Sequence, residues 1–359
     1  MRGFFFWEGK GFARDSGANP YAALLAEALG RQDVTIDEGD YAFSREWLEA
    51  SSGSHSFLHI NWLDRVYHRA GEAHDLERAA ERYADFVENI VMARRLGYRL
   101  VWTVHNLLPH ERVYPQLDRL INAQVAREAD HVVAHCRFAA DRIEELYDPP
   151  RPVQMIPHGN YREVFPNDVS RADARRELGI DQDRFVYLFF GNARGYKGVE
   201  GLIDAFRAAE VGDALLLLVL RKNERAVTLV AELEQRVAGD TSIVLATSPY
   251  FAADRFQYYL NAADVAVLPF TSVLTSGSAI QALDFGLPLI LPRLGCLPEL
   301  VDDHMGILYD PTASGALAAA LVEARRLDLT AAREAALRRS EGLGWDAIAS
   351  RIVELYRGS

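Results

Sequence analysis

Arg194 and Lys197 stand in a glycine-punctuated turn, Phe189-Phe190-Gly191-Asn192-Ala193-Arg194-Gly195-Tyr196-Lys197-Gly198, that follows an apolar run and opens a helix near Val199. Cations beside the unpaired N–H groups of a helix start attract anions, and glycines let the backbone come close to a ligand. The chemistry this spacing suits is a grip on phosphate, with a diphosphate as the expected guest. An ordinary strand-to-helix loop with two solvated cations has the same composition, so the reading needs support from elsewhere in the chain.

That support comes from Thr275-Ser276-Gly277-Ser278-Ala279-Ile280-Gln281-Ala282-Leu283, which follows Pro269 and Phe270 and is closed by Gly286 and Pro288. Ser276 is a good N-cap, and Gly277 permits close approach. The helix behind them aims its positive end at whatever lies in front, so it could neutralise the same diphosphate. A serine-rich cap with nothing bound is the plain alternative. In His105-Asn106-Leu107-Leu108-Pro109-His110-Glu111 two imidazoles and a carboxylate share one loop, which suits proton transfer or hydroxyl binding. A lone strand-tip histidine is commonly a structural hydrogen-bonder, and the same holds for His135 and His158. No His or Cys pair sits at zinc spacing, so no metal is expected. Asp181-Gln182-Asp183 has an Asp-X-Asp form but precedes its strand and reads as a solvated turn.

The elements that must hold these residues are short β-branched or aromatic runs alternating with amphipathic segments, the pattern of βα units and parallel sheets. Strands are predicted near 3–7, 34–37, 57–61, 100–105, 131–135 and 153–157, and again near 185–190, 215–220, 242–246, 265–269, 289–292 and 306–309. Ligands of open parallel sheets bind beyond the carboxyl ends of strands. Those positions are polar here: Asn61, His105, His135, His158, Arg194, Lys197, Arg221, the Ser248 to Phe251 loop and the Phe270 to Ser278 segment. With 359 residues, two domains are expected, 1–166 and 167–344, with 345–359 assigned to the first and a hinge between Pro157 and Ser170. Ile348, Ile352 and Leu355 share one face of the last helix, which needs an apolar partner.

The balance of 39 basic and 51 acidic residues, a net charge of -12, argues against nucleic acid and anionic lipid as partners and makes any anion site local. Two cysteines, Cys136 and Cys296, lie far apart in sequence and are expected as free thiols of a reducing cytoplasm. Neither a membrane-length apolar run nor a signal-peptide pattern is present, so a cytoplasmic protein is expected, at most peripheral to a membrane. No Gly-X-Gly-X-X-Gly turn follows the first strand, which disfavours a dinucleotide oxidoreductase.

With these elements in place the chain resembles the GT-B glycosyltransferases, and within them family 4 and related bacterial exopolysaccharide transferases. The likeness spans nearly the whole chain. It is carried by Phe190 to Gly198, by Tyr258-Tyr259-Leu260-Asn261-Ala262-Ala263-Asp264-Val265-Ala266-Val267-Leu268-Pro269, and by Ser276 to Pro288. The resemblance implies two Rossmann-like α/β domains facing across a cleft, with the C-terminal helix returning to the first. It implies a nucleoside diphosphate sugar as co-substrate, no cofactor or metal, and an acceptor hydroxyl on a carbohydrate, lipid-linked or small-molecule partner that enters near Gly9 to Tyr21. Arg194 and Lys197 would bind the diphosphate with Gly191 and Asn192. Tyr250 and Phe251 would meet the base near Arg221, and Thr275, Ser276, Gly277, Ser278 and Gln281 would face phosphate, sugar and ribose. His105, helped by Glu111, would contact the sugar or the acceptor hydroxyl. The family pattern has two glutamates eight positions apart where this chain has Val273 and Gln281, so Thr275, Ser276 and backbone amides take over the hydroxyl contacts. A nucleotide-sugar epimerase or phosphorylase of the same fold and a non-catalytic nucleotide-sugar-binding subunit are the competing readings.

Overall fold

Apolar runs of two to seven residues become twelve strands in the computed structural model, which describes residues 1–7, 12, 19–68, 73–109, 113–222 and 226–358. They are β1 Arg2–Phe6, β2 Thr35–Glu38, β3 Phe57–Ile60, β4 Arg99–Thr103, β5 His131–Ala134, β6 Gln154–Met155, β7 Val186–Asn192, β8 Leu215–Arg221, β9 Ile243–Ser248, β10 Val265–Val267, β11 Leu289–Pro292 and β12 Gly306–Tyr309. Each predicted strand is present. The largest shortfall is β6, which keeps two of the five expected residues. It pairs only with β5 and is flanked by Pro152 and Pro157, which have no N–H to give a ladder.

Among the described residues all strand pairings are parallel, and the sheets are two of six strands each, in the orders β2-β1-β3-β4-β5-β6 and β12-β11-β10-β7-β8-β9. Helices link successive strands, the architecture expected of βα units. The chain divides into two compact units, one formed by 1–159 with 343–359 and the other by 160–342. Strands covered on both faces read as unbroken apolar runs, and Leu215 to Leu220 of β8 are each no more than 2% exposed.

In the second unit the sheet's N-terminal edge is pinned by a buried ion pair. Arg175, on the helix Arg171–Leu178, is fully buried and bonds Asp264 Oδ2 at 2.7 Å, while its other donors reach the carbonyls of Ala262, Asp181, Gln182 and Arg184. The same carboxylate oxygen accepts the Val186 amide at 2.8 Å, at the start of β7. Asp264 is therefore a structural residue of the family-like run, and it sits at the end of the sheet opposite the polar loops.

The C-terminal helix Trp345–Arg357 belongs to the first unit and finds the apolar partner its pattern demands. Ile348, Ile352 and Leu355 are buried, and the Tyr356 ring stacks on Phe57 of β3 with centroids 3.7 Å apart. Any side chain on Gly159 would collide with the Trp345 ring, since a Cβ there would lie 2.2 Å from it. Neither Cys136 nor Cys296 is a free thiol, which corrects the expectation drawn from their spacing, because separation along a chain does not determine a cysteine's state. Among the described residues no helix is long and apolar enough to cross a membrane.

Candidate active site

Strand order decides which loops of the second unit are neighbours. The chain lays β7, β8 and β9 in one direction and then returns to place β10 on the other side of β7, so the segments after β7 and β10 flank a topological switch point, where open α/β sheets bind ligands. After β7 comes the turn Gly191 to Gly198, and after β10 the segment Pro269 to Ser278. Gly191 has a φ of +141°, open to glycine and strained for other residues, and a Cβ placed on it would lie 3.5 Å from Ser278 Oγ and 3.8 Å from Lys197 Nζ. Strand end, ammonium and helix start thus surround one small space.

The two segments also hold each other. The Thr271 amide donates to the Tyr196 carbonyl at 2.9 Å. Gly198, at a φ of +71°, lets the Pro269 carbonyl come so near that a Cβ would be 2.1 Å from its oxygen. Lys197 is buried on the turn Gly195–Lys197, with its Nζ 4.5 Å from the centroid of the Phe270 ring. Burial, and secondarily the Arg194 charge, lower its pKa from the ordinary 10.5 to about 8. Arg194 itself is half-buried.

The helix Gly277–Asp284 begins as its sequence predicts. Ser276 Oγ accepts the Ala279 amide at 3.1 Å, and the Gly277 and Ser278 amides are left without a hydrogen-bond partner among the described residues. Gln281, one turn on, keeps a buried Nε2 that has no partner among the described residues. The helix is moored at its other end by Asp284, whose carboxylate accepts the Tyr161 amide at 2.8 Å and the Ser340 hydroxyl at 2.5 Å. Burial raises the Asp284 pKa to about 6. Farther along the same edge Arg221 Nε donates to the Pro249 carbonyl at 3.1 Å, Tyr250 is exposed, and Phe251 packs on Phe256 and Tyr259. Asn192 is exposed at the end of β7, and Thr275 is half-buried before the cap. The structure therefore brings all the sequence-predicted residues of this unit to one sheet edge.

In the first unit the switch point lies between β1 and β3, flanked by Trp7 on one side and by Asn61 and Trp62 on the other. His105 follows β4, His135 follows β5 and His158 follows β6, and their rings surround Tyr21, with His105 and His158 buried and His135 half-buried; His59 of β3 is buried against Phe5 and Tyr356. His105 bonds Asn61 Oδ1 through Nε2 at 2.9 Å, its Nδ1 lies 3.3 Å from His135 Nε2, and Trp62 stacks over its ring. His59 is tied to Tyr356 OH at 2.5 Å and to Thr103 Oγ1 at 2.7 Å. Burial holds these rings below the ordinary 6.5, with His135 near 4 and His59 and His158 near 3, and His105 is lowered as well. Trp62 Nε1 is buried without a partner among the described residues. Glu111, His110 and most of the Gly9 to Tyr21 loop lie outside the described residues.

Several residues of these sites carried no role in the sequence. Phe270 under the Lys197 ammonium had a signal in its place directly after a strand. Trp62 had the same signal after its own strand and Tyr21 closed the Gly9 to Tyr21 segment, whereas Asp284 and His59 had none, since their partners are remote in sequence. Among the described residues no group of three or more His, Cys, Asp or Glu side chains is placed to hold a metal ion.

Comparison with known proteins matches residues 184–326 to the family described as "Glycosyl transferases group 1" and residues 16–160 to "Glycosyltransferase Family 4". The chain is 30% identical over 292 residues to D-inositol 3-phosphate glycosyltransferase 1 of Catenulispora acidiphila, covering 75% of this chain and 69% of that protein. It is 29% identical over 365 residues to D-inositol 3-phosphate glycosyltransferase of Segniliparus rotundus, covering 95% and 74%. Among solved structures, sucrose-phosphate synthase of Thermosynechococcus elongatus superposes with a TM-score of 0.76 at 18% identity, over 99% of this chain and 98% of that one. Anabaena Alr3699/HepE in complex with UDP-glucose superposes with a TM-score of 0.72 at 16% identity over the full length of both chains. At such identities the structural likeness is one of fold.

Proposed function

We propose that this chain, which belongs to the group 1 glycosyl transferases of family 4, moves a glycosyl group from a nucleoside diphosphate sugar to a hydroxyl of a carbohydrate, lipid-linked or small-molecule acceptor. The observation that carries the donor side is the convergence of Gly191, Lys197 Nζ and Ser278 Oγ on one space in front of a helix N-terminus. As the anomeric C–O bond breaks, negative charge grows on the departing diphosphate. Lys197, Arg194 and the free amides of Gly277 and Ser278 are fixed before that charge develops, so they lose no reorganisation energy in meeting it. One such donor is worth roughly 3 kcal/mol of barrier in other enzymes.

In this reading Arg221, Tyr250 and Phe251 take the nucleoside, and the free Gln281 Nε2 meets a ribose hydroxyl. Thr275 and Ser276 serve the sugar where the family pattern has a glutamate and this chain has Val273. His105 orients the reacting hydroxyl, with Glu111 as its helper. The reading needs no cofactor or metal ion. UDP is the first donor nucleotide to test, because Alr3699/HepE is described in complexes with UDP and UDP-glucose. The inositol 3-phosphate transferases among the relatives make a polyol hydroxyl the first acceptor to try.

A thermal-shift comparison of UDP, GDP, dTDP and ADP tests the donor site. A nucleotide at a hundred times its dissociation constant stabilises the fold by about 2.7 kcal/mol. The double variant Arg194→Ala with Lys197→Met is expected to abolish that shift. An unchanged shift in the double variant would remove the diphosphate from this turn. Release of nucleoside diphosphate only when a polyol acceptor is added marks transfer, whereas release without acceptor marks donor hydrolysis.

A further inference from the structure

At the switch point of the first sheet the end of β1 and the turn after β3 are tied together. The Phe6 carbonyl accepts Asn61 Nδ2 at 3.0 Å and the Tyr41 hydroxyl at 3.1 Å. Tyr41 in turn accepts the Trp62 amide at 2.9 Å, and the Trp62 carbonyl accepts the Arg65 amide at 3.3 Å. These bonds fix the backbone on which Trp62 stands. Its ring is held as well, stacked on His105 with centroids 4.8 Å apart and tilted against Trp7 at 5.7 Å. One group is left over. Trp62 Nε1 is buried, an indole nitrogen only donates, and no acceptor meets it among the described residues. Buried indoles ordinarily find a partner, because a donor shut away from water without one is costly.

A hydroxyl stands on the same group of rings. Tyr21 stacks on Trp7 with centroids 5.3 Å apart and meets His105 edge-on at 4.9 Å, so Trp7 and His105 each touch both Tyr21 and Trp62. Burial alone raises the Tyr21 phenol above its ordinary 10, with no hydrogen bond and no charge contributing. The phenol is therefore a neutral group that both donates and accepts.

We propose that Trp62 Nε1 and the Tyr21 hydroxyl are the hydrogen-bonding groups of a site for a neutral ring polyol or pyranose, with the half-buried Trp62 ring as its apolar face and Trp7 behind it. This rests on the reading that the acceptor of the transferase is a hydroxyl compound, and it names the residues that recognise it. A ring polyol carries oxygens round its edge and C–H bonds on its faces, so it matches aromatic rings with a few donors set among them. The indole N–H takes a lone pair of one ring oxygen or hydroxyl, and the phenol gives or takes a hydrogen at another. An anionic group would call for a fixed cation, and no charge acts on the Tyr21 hydroxyl. Because the Trp62 backbone and ring are held before a ligand arrives, the N–H is already aimed when it binds.

The test is NMR of the full chain with 15N-labelled tryptophan, titrated with myo-inositol, methyl glucoside and glycerol, each with and without UDP. Trp62→Phe assigns the Trp62 indole among the five tryptophans. We expect its N–H resonance to move downfield with myo-inositol or methyl glucoside, and further than the other four. Glycerol has hydroxyls but no ring face, and at the same concentration it should leave the resonance in place. A Trp62 indole that ignores both ring compounds, or responds equally to glycerol, overturns the proposal. Replacing Trp62 by benzothienylalanine keeps the fused ring and puts sulfur in place of the N–H. That variant should hold the urea midpoint of the unaltered protein and bind the ring compound about tenfold more weakly, and Tyr21→Phe should weaken it in the same direction. A lowered midpoint in the sulfur variant would mean that the N–H is bonded inside the protein, and unchanged affinity would mean that the ligand does not use it. Either result overturns the proposal, and the indole shift in the unaltered protein decides it even where a variant fails to fold. A thermal shift with UDP but no indole response ends this proposal and leaves the donor reading standing. An indole response without UDP binding keeps this site and counts against transfer.

Discussion

Lys197 owes its interest to burial more than to charge. An exposed lysine at the same place would be one of many solvated cations, but this one lies on the Phe270 ring beside Arg194 and has a pKa near 8. A depressed amine pKa means that the charged form is full below that value and is lost as pH rises through it. A diphosphate binds the charged form, so UDP affinity should be flat below about pH 8 and fall above it, by at most about tenfold per pH unit, until the higher pKa of the complex is reached. Calorimetric titration of UDP between about pH 7 and 9.5 measures this. A dissociation constant that does not change over that range would place Lys197 away from the ligand. At this scale the sequence already showed both cations, because spacing to a strand end and a glycine is local information. It did not show the ring beneath Lys197 or the hydrogen-bond partners of His105.

Elements are held by a few buried polar contacts at their ends. Asp264 joins β7, the residue before β10 and the helix Arg171–Leu178 through Arg175 and the Val186 amide. Asp264→Ala leaves a fully buried guanidinium without its counter-charge, so the 160–342 unit should lose about 3–5 kcal/mol. All five tryptophans of the chain fall in the 1–159 and 343–359 unit. The variant should therefore show an early urea transition by circular dichroism that tryptophan fluorescence does not report. Coincident transitions, or an unchanged midpoint, would contradict that role. The sequence located these elements to within two or three residues, including the Ser276 cap and the exact span of the helix Arg171–Leu178, because caps, glycines and periodicity act over one turn. It showed Asp264 only as part of a family-like run, since its partner Arg175 lies 89 residues away in sequence.

Across the whole molecule the buried imidazoles set an acid limit. Five histidines of the first unit, His131 with His59, His105, His135 and His158, are held below the ordinary 6.5 by burial, whereas in the unfolded chain they titrate near it. A histidine whose folded pKa is depressed gives stability that is complete above the unfolded value and is lost as pH falls towards the folded one. Each should cost up to about 1.4 kcal/mol per pH unit between about pH 6.5 and its folded pKa. Urea midpoints read by tryptophan fluorescence should therefore fall steeply between about pH 7.5 and 5, and a flat profile would mean that the cluster is already charged or solvated. By itself the sequence determined twelve strands, two sheets' worth of βα units, the cationic turn and the capped helix that answers it. Each of these is written in runs, periods and glycines a few residues long. Only the tertiary structure decided that β10 returns beside β7, that β3 lies beside β1, and that three strand-end histidines gather around one tyrosine. Parallel strands are joined by crossovers long enough to reach several positions in a sheet, so their order depends on the packing of the whole unit and not on any local spacing.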